Sequence, residues 1–149
     1  MNTGSICTRN VVTCRPDVSA LDAARLIRNH HVGDLVVVAE TGGSHTPVGV
    51  VTDRDIVVSV VAKEVDPATL LVADIMSSPA ITAYEWEDVW QVLRRMRLHG
   101  VRRMPVVGDM DELIGIVTFD DLVGAISELL SELGHVSGRQ KFFEEKAQA

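Results

Sequence analysis

Apolar and polar positions follow two different periods along this chain, and the whole pattern occurs twice. Ala20, Ala23, Ala24 and Ile27 stand at the i, i+3, i+4, i+7 spacing of one helix face, and so do Val89, Val92, Leu93 and Met96. Ser19 and Asp88, just ahead of these stretches, are the residue types that cap helix N-termini. Each helix pattern is followed by two continuous apolar runs, 35–38 with 48–51 and 104–107 with 113–117. Runs of that length predict strands covered on both faces. Short β-branched segments, 11–13 and 81–82, precede the helices. A second helix is expected after each strand pair, from Asp53 to about Ala62 and from Phe119 to about Leu133. The element order in each half is therefore β-α-β-β-α.

The two halves also match residue by residue. Gly49-Val50-Val51-Thr52-Asp53-Arg54-Asp55 returns as Gly115-Ile116-Val117-Thr118-Phe119-Asp120-Asp121. Ile6 aligns with Ile75, and Arg25, Arg28, His30 and Val32 align with Arg94, Arg97, His99 and Val101. An internal repeat of this length points to a duplicated supersecondary unit. Extra residues of copy one fall at 41–47, where glycine, proline and polar residues predict a turn. The division expected is a first motif over 5–64, a linker over 65–73 with a helical turn after Pro67, a second motif over 74–134, and a polar tail over 135–149.

Composition narrows the function classes. Only 4% of residues are aromatic while 46% are hydrophobic, so the core must be aliphatic. A formal net charge of −7 argues against a general nucleic-acid binder, which needs a basic face to neutralise phosphates. No apolar run is long enough to span a bilayer, and the first residues lack the basic and apolar regions of a signal peptide. The 2 cysteines, Cys7 and Cys14, form no disulfide framework, so a soluble cytoplasmic protein with reduced thiols is expected.

The doubled β-α-β-β-α order resembles the cystathionine β-synthase (CBS) domain family, whose motifs come in pairs called Bateman modules. The resemblance covers roughly residues 5–133 and rests on three features. These are Ala73-Asp74-Ile75-Met76-Ser77, the segment Gly100-Val101-Arg102-Arg103-Met104-Pro105-Val106-Val107, and the two Gly-φ-φ-Thr-x-x-Asp segments. It implies a mixed α/β (α+β) fold in which two tandem motifs form one compact module with pseudo-two-fold symmetry. It also implies adenosyl ligands (AMP, ADP or ATP, with NAD or S-adenosylmethionine as variants) in the two clefts between motifs, and a homodimer built helix to helix. Copy one departs from the pattern: it lacks the usual Met and Pro over 6–10 and has Gly33-Asp34-Leu35-Val36 opposite Arg102-Arg103-Met104-Pro105. The two clefts are therefore not expected to be equivalent.

Thr-x-x-Asp has two readings. As structure it is a capping box, the threonine and the acid each holding a backbone N–H at a helix start. As a site, the same helix start offers free N–H groups and partial positive charge to a phosphate, and an aspartate one turn in can accept from ribose hydroxyls. Carried over from the family, Thr52, Arg54 and Asp55 would share a cleft with Pro79, Ala80 and Ile81 and with Arg102, Arg103 and Met104. Thr118 and Asp121 would face Thr8, Asn10 and Val12 together with Gly33, Asp34 and Leu35. The first cleft looks cationic. The second has Asp34 and Asp120 nearby, so the more highly charged nucleotide is expected in the first.

Catalytic and metal patterns are weak. The 5 histidines are scattered without ligand spacing, and no catalytic triad, Walker loop or paired-carboxylate motif is present. The expectation is a regulatory sensor with no enzymatic activity, no catalytic cofactor and no metal, acting through an effector protein. Its alternative is a ligand-free interaction or dimerisation scaffold.

Overall fold

The structure, a computed structural model, describes residues 1–149. The first half contains β1 (Thr13–Cys14), α1 (Ala20–His30), β2 (Asp34–Thr41), β3 (Ser44–Thr52) and α2 (Asp53–Ile56), which continues as a π-helical turn over Val57–Val61. After a short α3 (Val72–Ile75), the second half repeats the order as β4 (Ala83–Tyr84), α4 (Val89–His99), β5 (Arg103–Val107), β6 (Leu113–Thr118) and α5 (Phe119–Gln148). Each half builds one three-stranded sheet, β1-β2-β3 or β4-β5-β6, with one parallel and one antiparallel pairing. The doubled fold expected from the repeat is thus present.

Local chemistry explains most boundaries. Ser19 Oγ accepts from Asp22 N at 3.1 Å, and Asp88 Oδ1 accepts from Trp90 N at 3.0 Å, so both proposed N-caps are in use. Helix α1 ends on His31 at φ 54° and α4 ends on Gly100 at φ 64°, the left-handed stop that favours glycine and strains histidine. His30 and His99 lie in the last turns, where the helix dipole favours a cation.

Four expectations need correction. The opening strands start later than the β-branched runs suggest, at Thr13 and Ala83, while the side chains of Val11, Val12 and Ile81 pack on the cores. The turn expected over 41–47 is shorter: β2 and β3 continue to a two-residue turn at Gly42-Gly43, both at positive φ. The helical run after Asp53 holds only one α turn before widening to π. The polar tail over 135–149 is not a separate segment, since α5 runs unbroken through Gly134 and Gly138 to Gln148.

The halves interlock. Residues 1–8 open the first motif but dock on the second: Thr3 N donates to Glu87 O at 2.8 Å, Gly4 N to Glu85 O at 2.8 Å, and Ile6 and Cys7 join the core around Met104 and Val117. Residues 70–77 do the reverse. Val72 N donates to Val18 O at 2.8 Å, and Val72, Ile75 and Met76 complete the core around Leu35 and Val51. Each exchange ends in a two-way bridge, Thr8 with Ile116 and Ser77 with Val50. The repeated glycines sit at these crossings. A Cβ on Gly115 would lie 2.8 Å from Thr8 O, and one on Gly49 would lie 2.8 Å from Ser77 O. A third core cluster, Val36, Val38 and Ile116, joins the two sheets.

Candidate functional site

Strands β3 and β6 deliver Thr52 and Thr118 to the starts of α2 and α5. Both threonines are N-caps in complete capping boxes. Thr52 Oγ1 accepts from Asp55 N at 3.2 Å, and Asp55 Oδ2 accepts from Thr52 N at 2.8 Å. In the second motif the corresponding distances are 3.1 and 2.7 Å, and Thr118 Oγ1 also donates to Asp121 Oδ2 at 2.8 Å. The repeated motif therefore does structural work in both copies. One carboxylate oxygen is used in each case, and Oδ1 of Asp55 and of Asp121 takes no part in these bonds.

Beside each cap runs the start of the neighbouring strand. Asp34 pairs in register with Thr52, and Arg103 with Thr118. Asp53 N donates to Gly33 O at 3.0 Å, and Phe119 N to Arg102 O at 2.8 Å, the same link in both motifs. Across the motifs, Arg103 and Asp34 form an ion pair, with Nε 2.9 Å from Oδ1. Gly33 leaves room for this arm, since its Cβ would stand 3.1 Å from Arg103 Nη2. Burial pushes the Asp34 carboxyl above its usual range, Arg103 pulls it back down, and Asp53 adds to the rise. The charge contrast expected between the clefts is thereby reduced: Asp34 and Arg103, assigned to opposite clefts, neutralise each other.

Two adjoining cavities share Arg102 and Arg103. One, of about 100 Å³, is lined by Val50 of the first motif and by Ser77, Pro79, Ala80, Ile81 and Val101 of the second. It brings together Pro79, Ala80, Ile81, Arg102 and Arg103 of the expected first cleft; Thr52, at the end of the strand that carries Val50, and Arg54 and Asp55, in α2, do not line it. The other, of about 280 Å³, is lined by Thr118, Phe119 and Asp120. The arginines expected beside Thr52 thus also stand beside Thr118. Arg102 lies 4.9 Å over the Phe119 ring, with Nη2 4.0 Å from the exposed Asp120 carboxylate.

Some expected site residues are placed otherwise. Met104 and Leu35 are fully buried in the two cores, so their side chains cannot reach a ligand. Val12 packs against the first core, and its carbonyl accepts from Val36 N at 3.2 Å. The Thr8 backbone is spent on the bridge to Ile116. Asn10 and Arg54 are exposed. Val50, Val101 and Phe119 line the cavities unannounced, although Val50 and Val101 each follow a glycine that brings the backbone to the site.

Arg94, Arg95, Arg97 and Arg102, close in sequence, divide between two settings. Arg94, Arg97 and Arg102 border an open groove of about 580 Å³ with Trp90 and Phe119. Arg95 instead turns inward, its guanidinium bound at 2.6 and 3.0 Å to both oxygens of the buried Glu87 and at 2.7 Å to Thr82 O. Burial pushes the Cys14 thiol up to about 11, and burial also raises Cys7 against the pull of Arg9. At pH 8, dithionitrobenzoate is expected to leave Cys14 untouched in the folded chain and to titrate both thiols after denaturation. Two fast thiols in the native protein would contradict this burial. No three His, Cys, Asp or Glu side chains gather into a metal-binding group, and no helix is long and apolar enough to cross a membrane.

Comparison with known proteins places this geometry. Residues 4–62 and 72–128 each match the CBS domain. The protein MK0525 of Methanopyrus kandleri is 37% identical over 123 residues, covering 83% of this chain and 61% of that protein. Two longer relatives are matched over only 21% and 23% of their lengths. Among solved structures, the CBS domain protein PAE2072 of Pyrobaculum aerophilum, complexed with AMP, superposes with a TM-score of 0.74 at 28% identity over 82% of this chain and 90% of its own. The CBS domain pair of MJ0100, in complex with 5′-methylthioadenosine and S-adenosyl-L-methionine, gives 0.73 at 28% identity over 85% and 99%. With two interlocked β-α-β-β-α motifs and a family match over most of its length, the chain belongs to the CBS domain family, as a tandem pair.

Proposed function

We propose that this chain is a regulatory module that binds an adenosyl ligand in the cleft between its two CBS motifs and passes the bound state to an effector protein through the relative placement of the motifs. One observation carries the reading: a single cavity draws Val50 from one motif together with Ser77, Pro79, Ala80, Ile81 and Val101–Arg103 from the other. Relatives of the same fold hold AMP or S-adenosylmethionine, which supports the ligand class. Val50, Ala80, Ile81 and Val101 offer apolar surface to a purine. Arg102 and Arg103 offer bidentate donors to phosphates, and the free Oδ1 of Asp55 offers an acceptor to ribose. Binding that touches both motifs favours one arrangement of them over others and shifts the population toward it. The protein acts as a homodimer without enzymatic activity of its own.

The capping boxes favour a second reading, a scaffold whose threonines and aspartates only cap helices. A thermal-shift panel of AMP, ADP, ATP, NAD and S-adenosylmethionine separates the two. At a hundredfold excess over Kd, a ligand of the native state adds about 2.7 kcal/mol. At least one member of the panel is expected to raise Tm by several degrees. No shift at millimolar concentration with any of them would leave the scaffold.

A further inference from the structure

Helix α5 leaves the module along a seam of fixed period. Leu122 lies in the core at 3% exposure, and the steps of four and three that follow reach Ile126, Leu129, Leu133 and Val136, at 42–65% exposure. The same stepping continues through Gln140 to Phe143 and Ala147. A helix lying on its own module shows a broad stripe at period 3.6. A two-in-seven seam held over this length, with Val123, Leu130 and Phe142 exposed beside it, is the pattern of a left-handed coiled coil. Nothing in the chain covers the far half of it, where the helix rests on its own i, i+4 pairs, such as Gln140 with Glu144 and Arg139 over Phe143. Gly134 and Gly138 each cost about 1 kcal/mol relative to alanine, and a segment of roughly fifteen residues is at the limit of an isolated helix in water. Both glycines fall off the seam, where a partner helix would not touch them.

We propose that α5 forms a parallel, in-register, two-stranded coiled coil with α5 of a second copy of this chain, through Leu129, Leu133, Val136, Gln140 and Phe143. Charge complementarity fits a second copy as the occupant, and the polar Gln140 layer sets the parallel direction. Arg139 precedes the Gln140 layer and Glu144 follows the Phe143 layer, the two flanking positions that meet across a parallel pair. Arg139 of one copy therefore faces Glu144 of the other, twice by symmetry. Gln140 meets its own counterpart, and a polar side chain at such a layer fixes register. This adds a specific second contact to the homodimer proposed above and does not depend on nucleotide binding.

Cysteine cross-linking of the full-length chain in a Cys7→Ser background tests the pairing. A parallel register sets the two copies of residue 136 side by side, whereas residue 138 points away. Val136→Cys is expected to form an interchain disulfide at least tenfold faster than Gly138→Cys at micromolar protein. Adding Arg139→Glu should slow the Val136→Cys reaction several-fold, and further adding Glu144→Arg should restore it. Equal rates at 136 and 138, no cross-link at 136, or failure of the charge swap to restore the rate would overturn the proposal. Because the readout needs no ligand, a negative nucleotide panel leaves this inference standing, and a failed cross-link leaves the nucleotide reading standing.

Discussion

Glu87→Val alone is expected to destabilise the protein by about 2 kcal/mol, while Glu87→Val with Arg95→Leu recovers most of that loss. The reason lies in the comparison of the two motifs. Glu87 and Arg95 occupy the places that Val18 and Leu26 hold in the first copy, where that apolar pair packs against the core. In the second copy the carboxylate is buried, binds the guanidinium through both oxygens and also accepts from Tyr84 N at 2.8 Å. Removing only the acid leaves Arg95 without its partner in a part-buried place. The cost falls below the roughly 3–5 kcal/mol of fully buried broken pairs because the Arg95 side chain is one-third exposed and reaches water. Removing both groups reinstates a solution that the fold already uses elsewhere. Denaturant melts of the two single variants and the double variant form the cycle, and a double variant less stable than either single one would contradict it.

The same pair sets an acid response. The Arg95 hydrogen bond, against some desolvation, holds the Glu87 carboxyl below its ordinary range. The folded state therefore favours the ionised form. Its contribution is complete above the unfolded carboxylate pKa and is lost as pH falls through the lower folded value. The stability gap between the parent and Glu87→Val should shrink across that acidic window and stay constant above it.

Gly115→Ala is expected to cost about 2 kcal/mol, roughly 5 °C in Tm, although alanine is ordinarily the better strand residue. Its Cβ would lie 2.8 Å from Thr8 O and 2.9 Å from Cys7 Sγ. The carbonyl is fixed by its bond from Ile116 N at 2.9 Å, so relief requires pulling the opening segment off the second motif. Gly124→Ala supplies the opposite sign. That site lies inside α5 with no atom within 4 Å of the added carbon, and a gain of about 0.5–1 kcal/mol follows from reduced unfolded-chain freedom. Thermal melts of both variants check the contrast. A neutral Gly115→Ala would mean that the exchange of opening segments is not tightly fitted.

The amino-acid sequence made the repeat, the strand pairs and both N-caps legible, because each depends on spacing within a few residues. It did not reveal why Gly49 and Gly115 recur. Their reason is a carbonyl from the other motif, which no local pattern announces. No local pattern marked Arg95 as a buried partner, because Glu87 is eight residues away at the helix entry; the apolar Val18 and Leu26 at matching places were the available signal. The end of α5 was missed because Gly134 looks like a stop, whereas the seam that continues past it is visible only when the period is followed at 3.5 rather than 3.6. At the site, the residue types pointed to the right segments. The pairing of Asp34 with Arg103 across the motifs did not follow from them, since two strand starts far apart in sequence meet only in the folded module.

The central claim, that the cleft between the interlocked motifs holds an adenosyl ligand, is tested most directly by calorimetric titration of the purified chain and of Ala80→Trp with AMP, ATP and S-adenosylmethionine. The indole would fill the cavity lined by Ala80 and Ile81, whose lining includes no capping-box residue. Saturable binding of at least one ligand to the parent, lost in Ala80→Trp while its melting transition persists, is the predicted result. Absence of binding to the parent, or equal binding to both proteins, would contradict it.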